Sequence, residues 1–420
     1  MSARQKILAV LFGVGVTVSA GEVQAQRLDA SATTLLAGRQ DPRDGRVYTV
    51  VPAYQSLQLR LTEIPSQYVD DLKLVVNAWG QLAFGDAREM LLGDLDAGYL
   101  EGSLFKRHVQ LRIGRQMVFG GAFRSLQMDG ATVNVRIVKG LHLTGIGGAP
   151  VTPRFGTSRG DAVGGARLSY RLNWESEIGF SFVHMTDKGK IARQDVAWDL
   201  RVQPHRTLAL SGFAVLSTRE VRLAEADAQI VWQPHRIVEV YADWRRLAPD
   251  LFIPRSSIFS VFSQETRDEA GGSIFLRPHG RVRLWAHSHF ISAEAGFGHR
   301  TGLKATFLLG EAHDTQLGLE LRWHQLPDDR GFQQFRAFAF TRPLPSLFIT
   351  LDADTYRLDR ALNGQQLSFT GAATIGYEIG RGFRAVLSLV GDTTPLVESR
   401  FEGMLKIAWN STVFYRQVNP

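Results

Sequence analysis

The chain has 420 residues, a formal net charge of +7, 41 glycines and no cysteine. Its mean hydropathy is −0.09, and no apolar run of about 20 residues follows the N-terminus, which excludes a helical membrane protein. Disulfides and a lipid-modified cysteine are excluded as well. Basic residues are spread along the chain without dense runs, so the sequence gives no support for a nucleic-acid partner.

The N-terminus has the features of a signal peptide. Arg4 and Lys6 form a positive region, residues 7–18 form a short apolar run, and Val23 and Ala25 stand at the −3 and −1 positions. We predict a signal peptide over residues 1–25 with cleavage after Ala25. A membrane anchor is the alternative, but the apolar run is too short for it.

Residues 26–45 show no clean hydrophobic period. We predict that residues 26–52 form a periplasmic N-terminal tail and that residues 53–420 form a single domain. Leu57, Leu59 and Leu61 alternate with polar residues. This pattern predicts either a first strand or an N-terminal segment that packs against that domain. Residues 72–84 follow as a clear strand.

Residues 108–138 predict a strand, a folded-in loop and a returning strand. Apolar residues at 109, 111 and 113 alternate with polar ones, as do those at 131, 133, 135 and 137. A period of two gives one apolar and one polar face. In a soluble sandwich the apolar face would be the core, whereas in a membrane barrel it would meet lipid and the polar face would line a lumen.

Turn signals in the rest of the chain favour the barrel. Tight turns recur about every 30–45 residues, as hairpins joined by one longer loop predict, and three of them share a Pro-His pair at 204–205, 234–235 and 278–279. Looser segments at 85–94, 119–128, 147–162, 248–266, 326–330 and 358–365 lie between them. We predict an all-β fold: one transmembrane antiparallel up-and-down β-barrel of about 18–20 strands, with a range of 16–22.

Strand parity predicts which residues line the lumen, because a charge facing lipid at bilayer depth costs several kcal/mol. The alternative is that these charges pair and simply fill the lumen. The predicted lumen residues, which would form the substrate path, are Arg112, Arg136, Arg167, Arg171, Arg201, Arg245, Arg283, Arg322, Asp199, Glu239, Asp243, Glu320, Asp352 and Asp354.

Two loops are candidates for narrowing the lumen. Loop 248–266 is unusually apolar, and Phe252, Ile258, Phe259 and Phe262 would fold inward as a constriction, pack as a compact loop, or form a docking surface. Segment 119–128 offers the same choice, because Gly120 and Gly121 permit a sharp inward bend.

No constellation predicts catalysis or metal binding. His287 and His289 share a strand face, but no third ligand stands at a fixed spacing, so we predict lumen lining and no metal. Phosphate-loop and His-Glu-x-x-His motifs are missing from the sequence. We therefore predict no cofactor and no enzymatic activity; a membrane-embedded hydrolase is the least favoured alternative.

The sequences LRIGRQ (111–116) and MDGATV (128–133), with Arg124 between them, resemble porin-like families of bacterial outer membranes, including the alginate-export and related polysaccharide-export barrels. The resemblance implies a location in the bacterial outer membrane, contact with its lipid, and export of a secreted polysaccharide, with separate periplasmic export proteins as partners. It also implies that Arg115 lies near the lumen. Parity turns Arg115 outward unless a bulge at Gly114 shifts the register.

The sequence therefore predicts a channel, most specifically for polysaccharide export. A general or anion-preferring diffusion porin is the alternative, and a structural or docking barrel with a blocked lumen is the alternative of another class.

Overall fold

A computed structural model of the chain describes residues 27–43, 46–85, 91–151, 161–173, 175–251, 265–310, 312, 314–326, 331–380, 382–395 and 397–414. The predicted signal peptide lies outside the described residues. So do the four predicted constriction residues Phe252, Ile258, Phe259 and Phe262.

The described residues form 22 β-strands. The first eleven are β1 (Arg27–Arg43), β2 (Arg46–Ile64), β3 (Asp70–Gly85), β4 (Leu91–Leu104), β5 (Val109–Phe119), β6 (Ser125–Val138), β7 (Leu141–Pro150), β8 (Ala162–Arg171), β9 (Glu177–Asp187), β10 (Lys190–His205) and β11 (Leu208–Ser217). The others are β12 (Arg222–His235), β13 (Val238–Leu247), β14 (Arg267–His279), β15 (Val282–Ala293), β16 (Gly296–Leu309), β17 (Thr315–Gln325), β18 (Phe332–Leu344), β19 (Leu347–Leu362), β20 (Gln365–Gly380), β21 (Phe383–Thr394) and β22 (Val397–Phe414).

All 22 strands belong to one sheet. β1 pairs antiparallel with β2 on one side and with β22 on the other, so the first and last strands join and the sheet closes. The predicted fold class, an all-β up-and-down antiparallel barrel, is confirmed. The strand number is at the upper limit of the predicted range.

The prediction of an N-terminal tail over residues 26–52 is wrong. Residues 27–43 form β1, and residues 46–52 are the first part of β2. Their backbone groups pair with neighbouring strands, from Arg27 opposite Phe414 to Gly38 opposite Gly403. In a strand with a partner on each side, the backbone N–H and C=O groups of both edges form hydrogen bonds within the sheet. In a free tail these groups would bind only water.

Two compact units make up the sheet. Of the described residues, unit 1 contains those within Met1–Gly102, Leu308–Leu319 and Phe335–Pro420, and unit 2 those within Ser103–Phe307 and Glu320–Gln334. In unit 1, β1 pairs with β2 and β22, and β19 to β22 pair in sequence order. In unit 2, β5 to β16 form an unbroken run of antiparallel pairs that includes β5–β6, β9–β10 and β15–β16.

The two faces of the strands differ as the alternation predicts. In β17, Leu319, Leu321 and Trp323 are 49%, 53% and 51% exposed, whereas Glu320 between them is 1% exposed. We call the face with the exposed apolar side chains the outer face and the opposite one the inner face. Within the described residues, no helix is long and apolar enough to cross a membrane.

Two arginines on the outer face depart from this sorting. The pairing of β5 with β6 runs unshifted through Gly114, so Arg115 lies on the outer face and the implied lumen position of Arg115 is wrong. Its Nε is 2.7 Å from Oδ1 of Asp129, the residue directly opposite. Arg246, opposite Asp268, forms a second such pair at 3.1 Å. The Arg246–Asp268 pair lies at the ends of β13 and β14, where a charge facing lipid costs least. Arg115 is near the middle of β5, and its charge is offset there by Asp129.

Candidate channel lining and constriction

All fourteen predicted lumen residues lie on the inner face, on the parity of the buried polar side chains. Arg112, for example, shares its face with Gln116, which is fully buried. Twelve of the fourteen belong to unit 2, and Asp352 and Asp354 belong to unit 1.

At least nine of these residues are joined to neighbours by ion pairs or hydrogen bonds, among them Asp199, which pairs with Arg167, and Glu239, which pairs with Arg277 at 3.6 Å. Asp243 accepts from His289 Nε2 at 2.9 Å, Arg322 pairs with Glu320, Asp352 pairs with Arg336, and Asp354 accepts from Tyr356 at 3.1 Å. Arg167 and Arg171 share Glu177. Much of the inner face therefore consists of charged side chains that pair with their neighbours. This is the alternative that the sequence left open.

Three of the predicted lumen arginines form no such side-chain contact with other described residues. In the described part of the chain, the side chains of Arg136, Arg201 and Arg283 form no ion pair, and each lies near a turn at one strand end. Arg136 and Arg283 therefore leave positive charge at this end of the sheet, whereas Arg201 lies opposite Glu177 in the register of β10 with β9.

The segment between β5 and β6 bends onto the inner face of unit 2. We call residues 120–124 the inward segment. Gly120 and Gly121 have φ of +101° and +51°, the left-handed region that glycine enters at little cost. A single 3₁₀ turn at Gly121–Phe123 follows. The inward bend predicted for segment 119–128 is present.

Polar contacts attach the inward segment to three strands. Ala122 N–H donates to Ser181 Oγ on β9 at 2.8 Å, and its carbonyl accepts from Arg193 Nη2 on β10 at 2.5 Å. Arg124 Nε is 3.1 Å from Oε2 of Glu225 on β12. Burial lowers the pKa of the Arg124 guanidinium and Arg193 lowers it further, whereas Glu225 raises it. Arginine stays charged under such shifts.

Apolar packing beneath the segment adds to these contacts. Ala122 and Phe123 are 0% and 1% exposed, and they join a buried cluster on the inner face that consists of Val118, Leu126, Met128, Ile146, Val163, Val183, Ala197 and Val215. A Cβ at Gly165 would lie 2.8 Å from the Phe123 ring. Glycine at 165 therefore makes the space in which the ring lies.

Beside the inward segment is an ion-pair network centred on Arg167. Its Nη2 is 2.5 Å from Asp199 Oδ1 and 2.9 Å from Glu177 Oε1, and its Nε is 3.2 Å from Asp199 Oδ2. A Cβ at Gly179 would lie 2.6 Å from Arg167 Nη2. Small residues on β8 and β9 thus give room to both the network and the segment.

Sequence reasoning missed several residues of this constriction. Ser181 and Arg193 hold Ala122, and Gln116 accepts from Thr132 Oγ1 at 2.8 Å and donates to the Gly130 carbonyl at 3.2 Å. The sequence does contain one indication of the constriction. Positions 165, 179 and 181 on the inner face carry small residues, although the same strands place long charged side chains inward elsewhere. Small residues at such positions indicate that another segment of the chain packs against them.

One end of the unit 2 wall is basic. Turns after β10, β12 and β14 repeat the Pro-His pair, and each His Nδ1 accepts from the backbone N–H two residues later, at 3.2–3.4 Å. The ring therefore caps the turn, and Arg206, Arg236 and Arg281 follow it. A cavity of about 410 Å³ at this end is lined by Arg236, Arg277, His279 and Arg283 with no acidic residue. We call this the basic end.

In unit 1, the inner face combines charges with aromatic rings. Arg336 Nε is 2.9 Å from Asp352 Oδ1, and its guanidinium lies 5.3 Å from the Phe338 ring centre. Arg384 lies 4.5 Å above Phe348. These contacts orient both arginines along the wall rather than away from it.

A closed antiparallel barrel with an apolar outer face and a charged inner face satisfies all backbone groups within the membrane and meets lipid only with apolar side chains. The fold and the lining together define a transmembrane β-barrel of the bacterial outer membrane, as the sequence predicts.

Comparison with known proteins gives only distant likenesses. No protein-family model and no curated protein matches the sequence. Among solved structures, OccK7 (OpdD) of Pseudomonas aeruginosa aligns at 11% identity over 92% of this chain and 100% of its own, with a TM-score of 0.46. The translocation pore of the P pilus usher PapC aligns at 8% identity over 92% and 100%, with a TM-score of 0.48.

A BenF-like porin from Pseudomonas fluorescens Pf-5 aligns at 9% identity over 94% of this chain and 100% of its own, with a TM-score of 0.45. At such identities and TM-scores these likenesses do not indicate what this chain transports, and they give no support to the polysaccharide-export type.

Proposed function

We propose that this chain forms a diffusion channel across the outer membrane, narrowed by the inward segment and preferring anions. Small solutes would pass along the charged inner face, where arginines hold carboxylates or other anions through charge-assisted hydrogen bonds and nearby acidic groups keep each contact weak.

The observation that carries the proposal is the inward segment attached to a charged wall. Lining side chains fill a barrel of about 8 strands, whereas a barrel of about 16 strands or more encloses a wider lumen. In this protein the buried apolar cluster lies beneath the inward segment, and ion pairs such as Arg167–Asp199 lie beside the segment. The basic end supports anion preference, because unpaired cations at an entrance concentrate anions there.

Two other predicted roles remain to be separated from this one. Polysaccharide export, implied by the sequence resemblance, requires passage of a chain rather than of single small solutes. A blocked structural barrel requires no passage at all. We further propose that the chain has no catalytic role; an unchanged mass of lipid and peptide substrates after incubation with the purified protein supports this, and a changed mass contradicts it.

Planar-bilayer recording of the purified protein tests the proposal. We expect stepwise conductance, and under a KCl gradient we expect a reversal potential that indicates greater permeability to chloride than to potassium. Neutral oligosaccharides added to one side should leave the current unblocked. Brief blocking events that lengthen with oligosaccharide length would support polysaccharide passage instead.

Other outcomes contradict the proposal. Insertion without conductance would indicate the blocked barrel, and a potassium preference would overturn the proposed selectivity. Arg206→Gln with Arg281→Gln removes two cations of the basic end that form no ion pair within the described residues. This variant should keep the conductance steps and lose part of the chloride preference.

A further inference from the structure

A second cavity at the basic end is lined by arginine, lysine and histidine side chains from three consecutive turns. Its volume is about 570 Å³, and its polar lining consists of His108, Arg136, Lys139, His142, Arg171 and Asn173. These residues come from the turns after β4, β6 and β8 and from the strand ends beside them, all within unit 2.

Backbone contacts fix the positions of these residues. Arg136 is the register partner of His142, and its N–H donates to the carbonyl of His108 at 2.8 Å. Arg171 N–H donates to the Gly140 carbonyl at 2.7 Å. Gly140 has φ of +85°, and a Cβ there would lie 2.5 Å from the Arg171 carbonyl oxygen. Glycine at 140 thus allows the end of β8 to approach the turn.

The charge of the cavity is not balanced by the protein. No aspartate or glutamate lines it. Arg171 pairs with Glu177 at 3.0 Å, but among the described residues the side chains of Arg136, Lys139 and His142 have no hydrogen-bond or ion-pair partner. Cations held close together by a fixed backbone repel one another, and a bound anion would relieve that repulsion.

We propose that this cavity is a binding site for a phosphate group. A carboxylate is satisfied by a single bidentate arginine, whereas two arginines, a lysine and two histidines converging from three turns suit an anion of higher charge with oxygens directed several ways. Arg136 and Arg171 also belong to the predicted channel lining, so the cavity lies at the end of that lining. Binding of an anion there does not require passage through the barrel.

Two sources of phosphate fit the cavity. Ile137, Val138 and Leu172 also line it, and they are 49%, 57% and 58% exposed. Apolar side chains beside cations suit a phospholipid whose acyl chains follow the outer face. A soluble phosphate from the aqueous side needs only the cations.

Thermal unfolding of the full-length protein in detergent tests the site. Inorganic phosphate should raise the Tm saturably, as a ligand bound only to the folded state does, and chloride at equal ionic strength should not. In the double variant Arg136→Gln, Lys139→Gln this increase should disappear. Arg206→Gln with Arg281→Gln is the matched control, because it removes the same charge from turns outside this cavity and should respond like the parent.

Native mass spectrometry separates the two sources. Short-chain phosphatidylglycerol retained by the parent but not by Arg136→Gln, Lys139→Gln, and not displaced by inorganic phosphate, indicates a lipid headgroup. Displacement by inorganic phosphate indicates a soluble ligand. The proposal is overturned if neither is retained, or if the matched control loses the response equally, since binding would then be diffuse attraction to the basic end.

Bilayer recording of the same variants separates this proposal from the proposed function. Conductance without phosphate binding would refute the site and leave the channel, whereas phosphate binding without conductance would refute the channel and leave the site.

Discussion

At the scale of single residues, Gly121 controls the inward segment. A Cβ at this position would overlap Ser181 Oγ and lie 3.2 Å from Asp199 Oδ2. We expect Gly121→Ala to loosen the hydrogen bond from Ala122 to Ser181, which should raise the single-channel conductance and its noise. The positive φ alone costs about 1 kcal/mol for alanine, and the overlap should add to it, which lowers the Tm.

Gly189→Ala is the control for this prediction. Gly189 has φ of +70°, in the same left-handed region, but no atom lies within 4 Å of its Cβ position. The control should therefore lose about 1 kcal/mol of stability without any change in conductance. If both variants conduct alike, steric support of the segment by glycine is not what determines the opening.

Arg167 is the residue on which selectivity is most simply tested. Its guanidinium holds Asp199 and Glu177 together. In Arg167→Gln both carboxylates lose this partner, so we expect a reversal potential shifted toward cation permeability and a loss of roughly 1–3 kcal/mol of stability. Measurements in the same KCl gradient as for the parent check the shift.

Arg167→Lys distinguishes charge from geometry. Lysine keeps the positive charge but cannot reproduce a bidentate contact with Asp199 while also reaching Glu177. It should retain the anion preference and lose part of the stability. A reversal potential that is the same in all three proteins would mean that ions do not pass near Arg167.

At the scale of elements, the inward segment is separable from the strands that carry it. Phe119 and Ser125 are register partners at the ends of β5 and β6, so Asn-Gly in place of residues 120–124 would close the hairpin with a two-residue turn. We expect the conductance to rise because the wall is uncovered. We expect the Tm to fall because the apolar floor around Val183 and Val215 meets water.

Shortening the turn between β11 and β12 is the control for that deletion. Residues 218–221 connect these strands, and Asn-Gly in their place should leave the conductance unchanged while β content, measured by circular dichroism, stays the same in both variants. An unchanged conductance after removal of 120–124 would show that the segment does not narrow the path.

The sequence predicted that the inward segment exists, but it did not predict which residues hold the segment in place. Gly120 and Gly121 indicated an inward bend because only glycine enters such φ values freely. Arg193 and Glu225, which contact the segment from β10 and β12, lie 71 and about 100 residues away in sequence. Parity says which face a side chain occupies, but it does not say which loop will reach it.

At the scale of the whole molecule, the alternation of apolar and polar residues predicted the fold class and the residues of the inner face. The prediction failed where two polar side chains on the outer face form a hydrogen bond or ion pair with each other. In β1, Leu35 lies inward and Thr34 outward, and Thr34 Oγ1 donates to Gln55 on β2 at 2.5 Å. This pair breaks the period of two, so β1 resembled a tail. Arg115 and Asp129 show the same effect with charges.

Closure of the sheet through β1 can be tested directly, because the chain has no native cysteine. Ala30 on β1 is the register partner of Ser411 on β22. Directly opposed residues in antiparallel strands have Cα atoms about 4.5–5.5 Å apart, which suits a disulfide. We expect Ala30→Cys with Ser411→Cys to form an intramolecular crosslink on mild oxidation, detected as altered mobility of the unreduced, heat-denatured protein.

Ala30→Cys with Thr412→Cys is the matched control for this crosslink. Successive residues of a strand point to opposite faces, so the thiol at 412 would lie on the inner face and the one at 30 on the outer face, and oxidation should give no crosslink. If residues 27–43 were instead a mobile tail, both pairs would react similarly and slowly. Selective crosslinking of the 30–411 pair therefore requires both the strand and its register with β22.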